Sequence, residues 1–210
     1  MIGLLFATMM EARPFLLACR AEAVESGPFA MYRTDLQPDL RIAISGMGKV
    51  ASAVTCQALI LVQQATRIVN AGACGALHDS PELNVGRLLG ISESVEGDHD
   101  VFGKRLQPVP CTALPPLDLP AARLVTSDRP VFDTRRRAAF AKLGDVVDME
   151  GAAIARVAQY YQVPCSLIKG VSDGARPLDR KTLLQNLSAV SEQIAQSVWQ
   201  ALKPFPGVES

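Results

Sequence analysis

The stretch DVVDMEGAAIARVAQYYQVPCSLIKGVSD, residues 145–173, decides the fold. Its apolar run DVVDM (145–149) gives way to small residues, and 149–162 continues with helical spacing into a second apolar run, PCSLIKGVS (164–172). Strand, helix and strand follow one another, and the hydrophobicity of the runs is continuous rather than alternating, so strands buried on both faces are expected. Outward from this unit the same alternation recurs. IGLLFA (2–7), LRIAIS (40–45), RIVNAG (67–72), RLLGIS (87–92) and RLVTS (123–127) read as strands. Helical patterns occupy 11–24, 48–65, 135–143 and 179–203, the last with Leu183, Leu187, Val190, Ile194, Val198 and Leu202 on one stripe. The pattern predicts an α/β chain with a central, largely buried β-sheet flanked by helices. Residues 97–122, which hold PVPCTALPPLDLP, are expected to form an irregular loop, because proline excludes a central strand or a helix interior. The tail KPFPGVES should fray.

Composition narrows the function. With 210 residues and 49% hydrophobic content, the chain suits one substantial core, and a single domain over 1–210 is expected. Lysine plus arginine and aspartate plus glutamate balance at 21 each, so no global field favours nucleic acid or an anionic membrane. A small molecule, or a second copy of the chain, is the expected partner. Five scattered cysteines without a CxxC pair suit reduced thiols in a cytoplasm and argue against a zinc site; no metal or cofactor is expected. The N-terminus lacks a basic leader, Glu11 interrupts its apolar run, and no run reaches the length of a membrane span.

Three acids fall where strands end. Glu11 follows IGLLFATMM, Glu150 follows DVVDM and Asp173 follows SLIKGVS. In open α/β sheets, ligands bind beyond the carboxyl ends of strands. Each acid alone has a structural reading, a helix-dipole partner or a turn former. Three at equivalent positions point to a site. The glycine-containing turns SGMGKVASA (45–53) and NAGACGAL (70–77) would let a ligand approach backbone N–H groups, and neither has the spacing of a dinucleotide or triphosphate loop.

Taken together and in order, IGLLFATMMEA, SGMGKVASA, VNAGACGAL followed by NVGRLLGIS, VVDMEGAAIARVA and IKGVSDGA resemble the purine nucleoside phosphorylase and nucleosidase superfamily, nearest to its methylthioadenosine/S-adenosylhomocysteine nucleosidases. The resemblance runs from residue 2 to about 176 and implies the three-layer, mixed-sheet fold of nucleoside phosphorylases. It implies a purine nucleoside as the small-molecule ligand and a homo-oligomer, a dimer or larger, in which a neighbour's loop closes the pocket. Glu150 would then accept hydrogen bonds from the ribose diol, with Met149 as an apolar surface beneath the sugar or base; Met149 also reads as a core methionine. Gly151, Ala152 and Ala153 would keep space open near the sugar. Asp173 would protonate the departing purine, and Glu11 would orient and deprotonate water. This layout resembles an inverting glycosidase, with acid and base on opposite faces of an oxocarbenium-like sugar. Met47, Gly72, Ala73 and Ser172 complete the implied substrate-binding set, with Val131 and Phe132 as the base-contacting segment; Phe132 also reads as core.

Some positions depart from the nucleosidase pattern. Where relatives read TGSAGG this chain has AGACGA, so Ala73 replaces a serine, and Lys169 stands where they carry arginine. Hydrolysis is favoured, because an acid on the nucleophile side would repel phosphate. The alternatives are a phosphate-dependent phosphorylase using Arg13 or the arginines at 135–137, a futalosine-type hydrolase, and a non-catalytic nucleoside-binding protein. The arginine triplet reads most simply as a solvated helix face, His99 as a loop residue or a contact to the far end of the sugar, and Asp148 as structural.

Overall fold

The computed structural model describes residues 1–24, 28–174 and 179–203. The expected fraying of the tail falls on residues 204–210, outside that set. Among the described residues, twelve strands are β1 (Ile2–Phe6), β2 (Glu22–Val24), β3 (Ala30–Arg33), β4 (Leu40–Ile44), β5 (Arg67–Ala76), β6 (Leu88–Glu96), β7 (Asp100–Val101), β8 (Lys104–Arg105), β9 (Val109–Pro110), β10 (Ala121–Thr126), β11 (Val146–Asp148) and β12 (Cys165–Asp173). Five α-helices are α1 (Met9–Ala18), α2 (Lys49–Leu61), α3 (Thr134–Phe140), α4 (Gly151–Tyr160) and α5 (Arg180–Leu202).

Ten strands form one mixed sheet in the order β11, β10, β6, β12, β5, β1, β4, β3, β2, with β9 on β6. β12 runs parallel to β5 and antiparallel to β6. A further antiparallel pairing of β11 with β5 closes five strands into a ring at one end. Apolar residues of α2 and α4 (Cys56, Leu59, Ile154, Ala158) pack on one face, and those of α1 and α5 (Phe15, Leu16, Ile194, Val198) on the other. The result is the expected three-layer arrangement, and β5 and β12 at its centre are buried over nearly their whole length.

The expected α/β alternation holds, with shifts at the ends. Helix α1 stops at Ala18 rather than 24: Arg20 reverses the chain at φ +51°, and Glu22–Val24 pairs with β3 as an edge hairpin whose sequence has no strand signature of its own. Tertiary pairing overrides local propensity there. The expected irregular loop 97–122 contains the β7–β8 hairpin, and its Val109–Pro110 pairs at the edge with Glu93 and Ser94 of β6. Proline is tolerated there because the pairing is two residues long and marginal. The stripe on α5 divides: Val190, Ile194, Val198 and Leu202 enter the core, whereas Leu183 and Leu187 face a cavity.

Candidate active site

The carboxyl ends of β5, β11 and β12, the first turn of α1 and the start of α5 surround a cavity of about 230 Å³. Glu11, Met47, Ala73, Val131, Phe132, Met149, Glu150, Ser172 and Asp173, all expected from sequence, line it. Gly72 does not. It lies behind Glu11, where an added methyl would stand 2.9 Å from Glu11 Oε1, so its role is to admit that carboxylate. Sequence reasoning missed Thr8, Arg129, Leu183 and Leu187 as lining residues.

Glu11 is held by local chain logic. Thr8 caps α1, accepting from Glu11 N at 3.3 Å, while Glu11 Oε2 accepts from Thr8 N at 3.0 Å and Thr8 Oγ1 at 2.8 Å. Such a capping box satisfies donors that a helix start leaves unpaired. It also fixes the carboxylate, whose Oε1 accepts from Ala73 N at 3.0 Å. Glu11 is thus anchored without a hydroxyl at 73, by the backbone N–H groups of Ala73 and Thr8 and the Thr8 hydroxyl.

Glu150 sits at the N-cap of α4, and its Oε1 accepts from Gly48 N at 2.7 Å. Gly48 has φ +97°, a backbone conformation that favours glycine and that turns its N–H toward the carboxylate. Oε2 of Glu150 takes no hydrogen bond from the described residues. Asp148 is spent on structure, as expected: Oδ1 accepts from Thr126 Oγ1 at 2.5 Å, and Oδ2 from Gly151 N and Lys169 Nζ, each at 2.8 Å. The expectation that Gly151 keeps space for a sugar is not met. A methyl there would lie 2.4 Å from Leu124 Cδ2 and 2.9 Å from Asp148 Oδ2, so packing requires the glycine.

Lys169, 1% exposed, bridges Asp148 and Asn70 Oδ1, the latter at 2.7 Å. Asn70 Nδ2 in turn donates to Leu5 O at 3.1 Å. A buried ammonium is tolerated only when paired and hydrogen-bonded, and this one is both. Burial alone lowers its pKa, but the charges and hydrogen bond of Asp148, together with Glu150 and Glu11, outweigh that and raise it. Burial lifts the Glu150 carboxyl to about 7, with the Asp148 charge adding to the rise and Lys169 and the Gly48 N–H opposing it.

Asp173 ends β12. The register against β5 slips between Val171 and Asp173, a bulge that lets the consecutive residues Ser172 and Asp173 both face the cavity. Asp173 Oδ1 accepts from Ser172 Oγ at 3.1 Å and Oδ2 from Arg137 Nη2 at 3.3 Å. Arg137 corrects the reading of the arginine triplet: Arg135 is exposed, but Arg137 is 6% exposed and reaches the site from behind. A lone buried arginine within a basic run leaves no separate sequence signal. On the same wall Val131 packs with Val125, Phe140 and Val147, whereas Phe132, 63% exposed, is not core. His99 does not line the cavity.

A three-layer mixed sheet with acids gathered at its strand ends defines a class, and the sequence profile of the phosphorylase superfamily matches residues 2–203. The chain belongs to that superfamily. It is 29% identical over 183 residues to 5'-methylthioadenosine/S-adenosylhomocysteine nucleosidase of Arabidopsis thaliana, covering 80% of this chain and 71% of the relative. Against aminodeoxyfutalosine nucleosidase of Campylobacter jejuni it is 28% identical over 169 residues, 70% of this chain and 72% of the relative. The crystal structure of S-adenosylhomocysteine nucleosidase from Streptococcus pyogenes with 5-methylthiotubericidin shares the fold, with a TM-score of 0.84 at 24% identity over 98% of this chain and 97% of that one.

Proposed function

We propose that the protein hydrolyses the N-ribosidic bond of a purine nucleoside of the methylthioadenosine or S-adenosylhomocysteine type. One observation carries this reading: Glu11, Glu150 and Asp173, from three distant stretches of chain, edge one cavity. The ribose hydroxyls donate to Glu150, whose Oε2 is not used by the described protein groups. Asp173 gives a proton to the imidazole nitrogen of the purine as the C–N bond breaks and its electron pair leaves with the base. Water adds its oxygen to the anomeric carbon and gives a proton to Glu11, which accepts from Ala73 N on one oxygen. Nucleoside and water become free base and ribose, and the two acids exchange their protons with solvent.

The nucleophile is water. Arg13 is exposed and does not line the cavity, and Arg137 is committed to carbonyls and Asp173, so neither of these arginines is offered to a phosphate; Arg129 does line the cavity, and the Glu11 carboxylate on the nucleophile side is what disfavours a phosphate there. The test is a panel of methylthioadenosine, S-adenosylhomocysteine and aminodeoxyfutalosine, each with and without phosphate, read by base release. Adenine release independent of phosphate is expected. Ribose 1-phosphate products overturn hydrolysis, and nucleoside binding without base release indicates a binding protein.

The same reading extends to a single cytoplasmic domain that self-associates. Five unbonded cysteines suit a reducing compartment. Met47, Val50 and Val54 lie exposed along the start of α2, and Phe102 is fully exposed at the tip of the β7–β8 hairpin, an apolar surface suited to a second copy. Sedimentation at micromolar concentration is expected to give a dimer or larger, and denaturant a single unfolding transition.

A further inference from the structure

Resting on the nucleosidase reading, we infer that Arg137 is a positioning residue that holds the acid Asp173 and the base-side wall as one unit. Arg137 enters from α3, whose N-cap Asp133 accepts from Arg135 N and Arg136 N and so sets the helix against the sheet. Its guanidinium then makes a fan of bonds. Nη1 donates to Ala76 O and, at 2.7 Å, to Gly174 O. Nη2 donates to Val131 O at 2.9 Å and to Asp173 Oδ2 at 3.3 Å. Those partners are the last residue of β5, the residue after the acid, the wall expected to meet the base, and the acid itself.

No other side chain suits this arrangement. A guanidinium is planar, always charged and carries five donors in a fixed fork, whereas an ammonium cannot serve partners spread along an edge. Arg137 does not line the cavity, so it acts through Asp173 rather than on substrate. From the other side the carboxylate meets Gly75, where an added methyl would lie 2.7 Å from Oδ2. Oδ2 is therefore held between a cation and a bare backbone, and its rotation is fixed. Oδ1, reached by the Ser172 hydroxyl, remains the oxygen to carry the transferable proton.

The test compares R137M and R137K with wild type and D173N, using methylthioadenosine and 4-nitrophenyl β-D-riboside. The nitrophenolate leaves without a proton, so misplacing the acid does little to that substrate. With methylthioadenosine, R137M is expected to lose about 100-fold in kcat, with KM within about threefold, in the range general acid catalysis contributes. R137K is expected to recover part of that loss. On the nitrophenyl riboside both variants should stay within about threefold of wild type, since the acid's contribution is absent there. Equal losses on the two substrates in either variant, or a rise in KM at unchanged kcat, overturn the inference in favour of a purely structural arginine. If R137M does not fold, R137K decides on the same criteria. If wild type leaves the nitrophenyl riboside untouched, the division between kcat and KM on methylthioadenosine decides. Wild-type rates in R137M while D173N is inactive also overturn it and leave the nucleosidase reading standing; wild-type rates in D173N defeat that reading itself, and this inference with it.

Discussion

On the side of the cavity expected to hold the sugar, the charged groups are held by fixed partners: Lys169 is 1% exposed and bridges Asp148 to Asn70, Gly48 N holds one oxygen of Glu150, and Thr8 and Ala73 hold both oxygens of Glu11. On the side expected to meet the base, Phe132 is 63% exposed on a loop between β10 and α3, and the buried Arg137 behind it holds Asp173 and the Val131 carbonyl. The difference follows from the chemistry each side performs. In the proposed reaction, charge must be preorganised where it develops, at the sugar and at the purine nitrogen that receives the proton, whereas the face of the purine ring needs only apolar contact.

The contrast is broken most severely if a substitution on the base side costs as much as one among the acids. D173N is expected to lower kcat by about 10³-fold while nucleoside affinity changes little, and E150A to lose both turnover and binding, read by base release and calorimetry. Near-wild-type rates in either variant would remove the acids from the mechanism. Next in size, K169M leaves Asp148 buried without its cation, and a loss of about 3–5 kcal/mol in urea unfolding is expected. A loss below about 1 kcal/mol, the scale of a surface pair, would mean that the network is not buried in solution.

Glu150 sharpens the comparison through pH. Its carboxyl lies above the ordinary carboxylate value in the folded chain, at about 7, so the folded state holds this proton more tightly than the unfolded one. The stability it contributes is complete below the unfolded value and is lost as pH rises through about 7. Between pH 5 and pH 8 the melting temperature of wild type should therefore fall relative to that of E150Q, while nucleoside affinity rises as the acceptor ionises. A difference between the two proteins that does not change with pH would refute this. The smallest effect belongs to the open wall: F132A should raise KM about threefold at unchanged kcat, as expected for the loss of a half-solvated ring contact. A kcat loss matching that of D173N would erase the distinction between the two sides.

Burial of β5 and β12 was legible in residues 67–72 and 164–172, because strands covered on both faces must be apolar throughout. The acids were legible too, since strand ends followed by Glu11, Glu150 and Asp173 concentrate carboxylates where ligands bind. The β2–β3 hairpin was not: EAV at 22–24 becomes a strand only because β3 and β4 present an open edge to it. Gly72 and Gly151 read alike in the sequence, as small residues near a ligand, yet one makes room for Glu11 and the other for Leu124 and Asp148.

By itself the sequence determined the alternation of strands and helices and the chemical type of each group at the strand ends, because periodicity and residue identity are local properties. Tertiary structure alone decided that Arg137, not its neighbour Arg135, turns inward to Asp173, and that Lys169 joins Asp148 to Asn70. These pairings link residues far apart in the chain. A buried charge is settled by whichever partners the packing brings within hydrogen-bond reach, and no spacing along the chain encodes that distance.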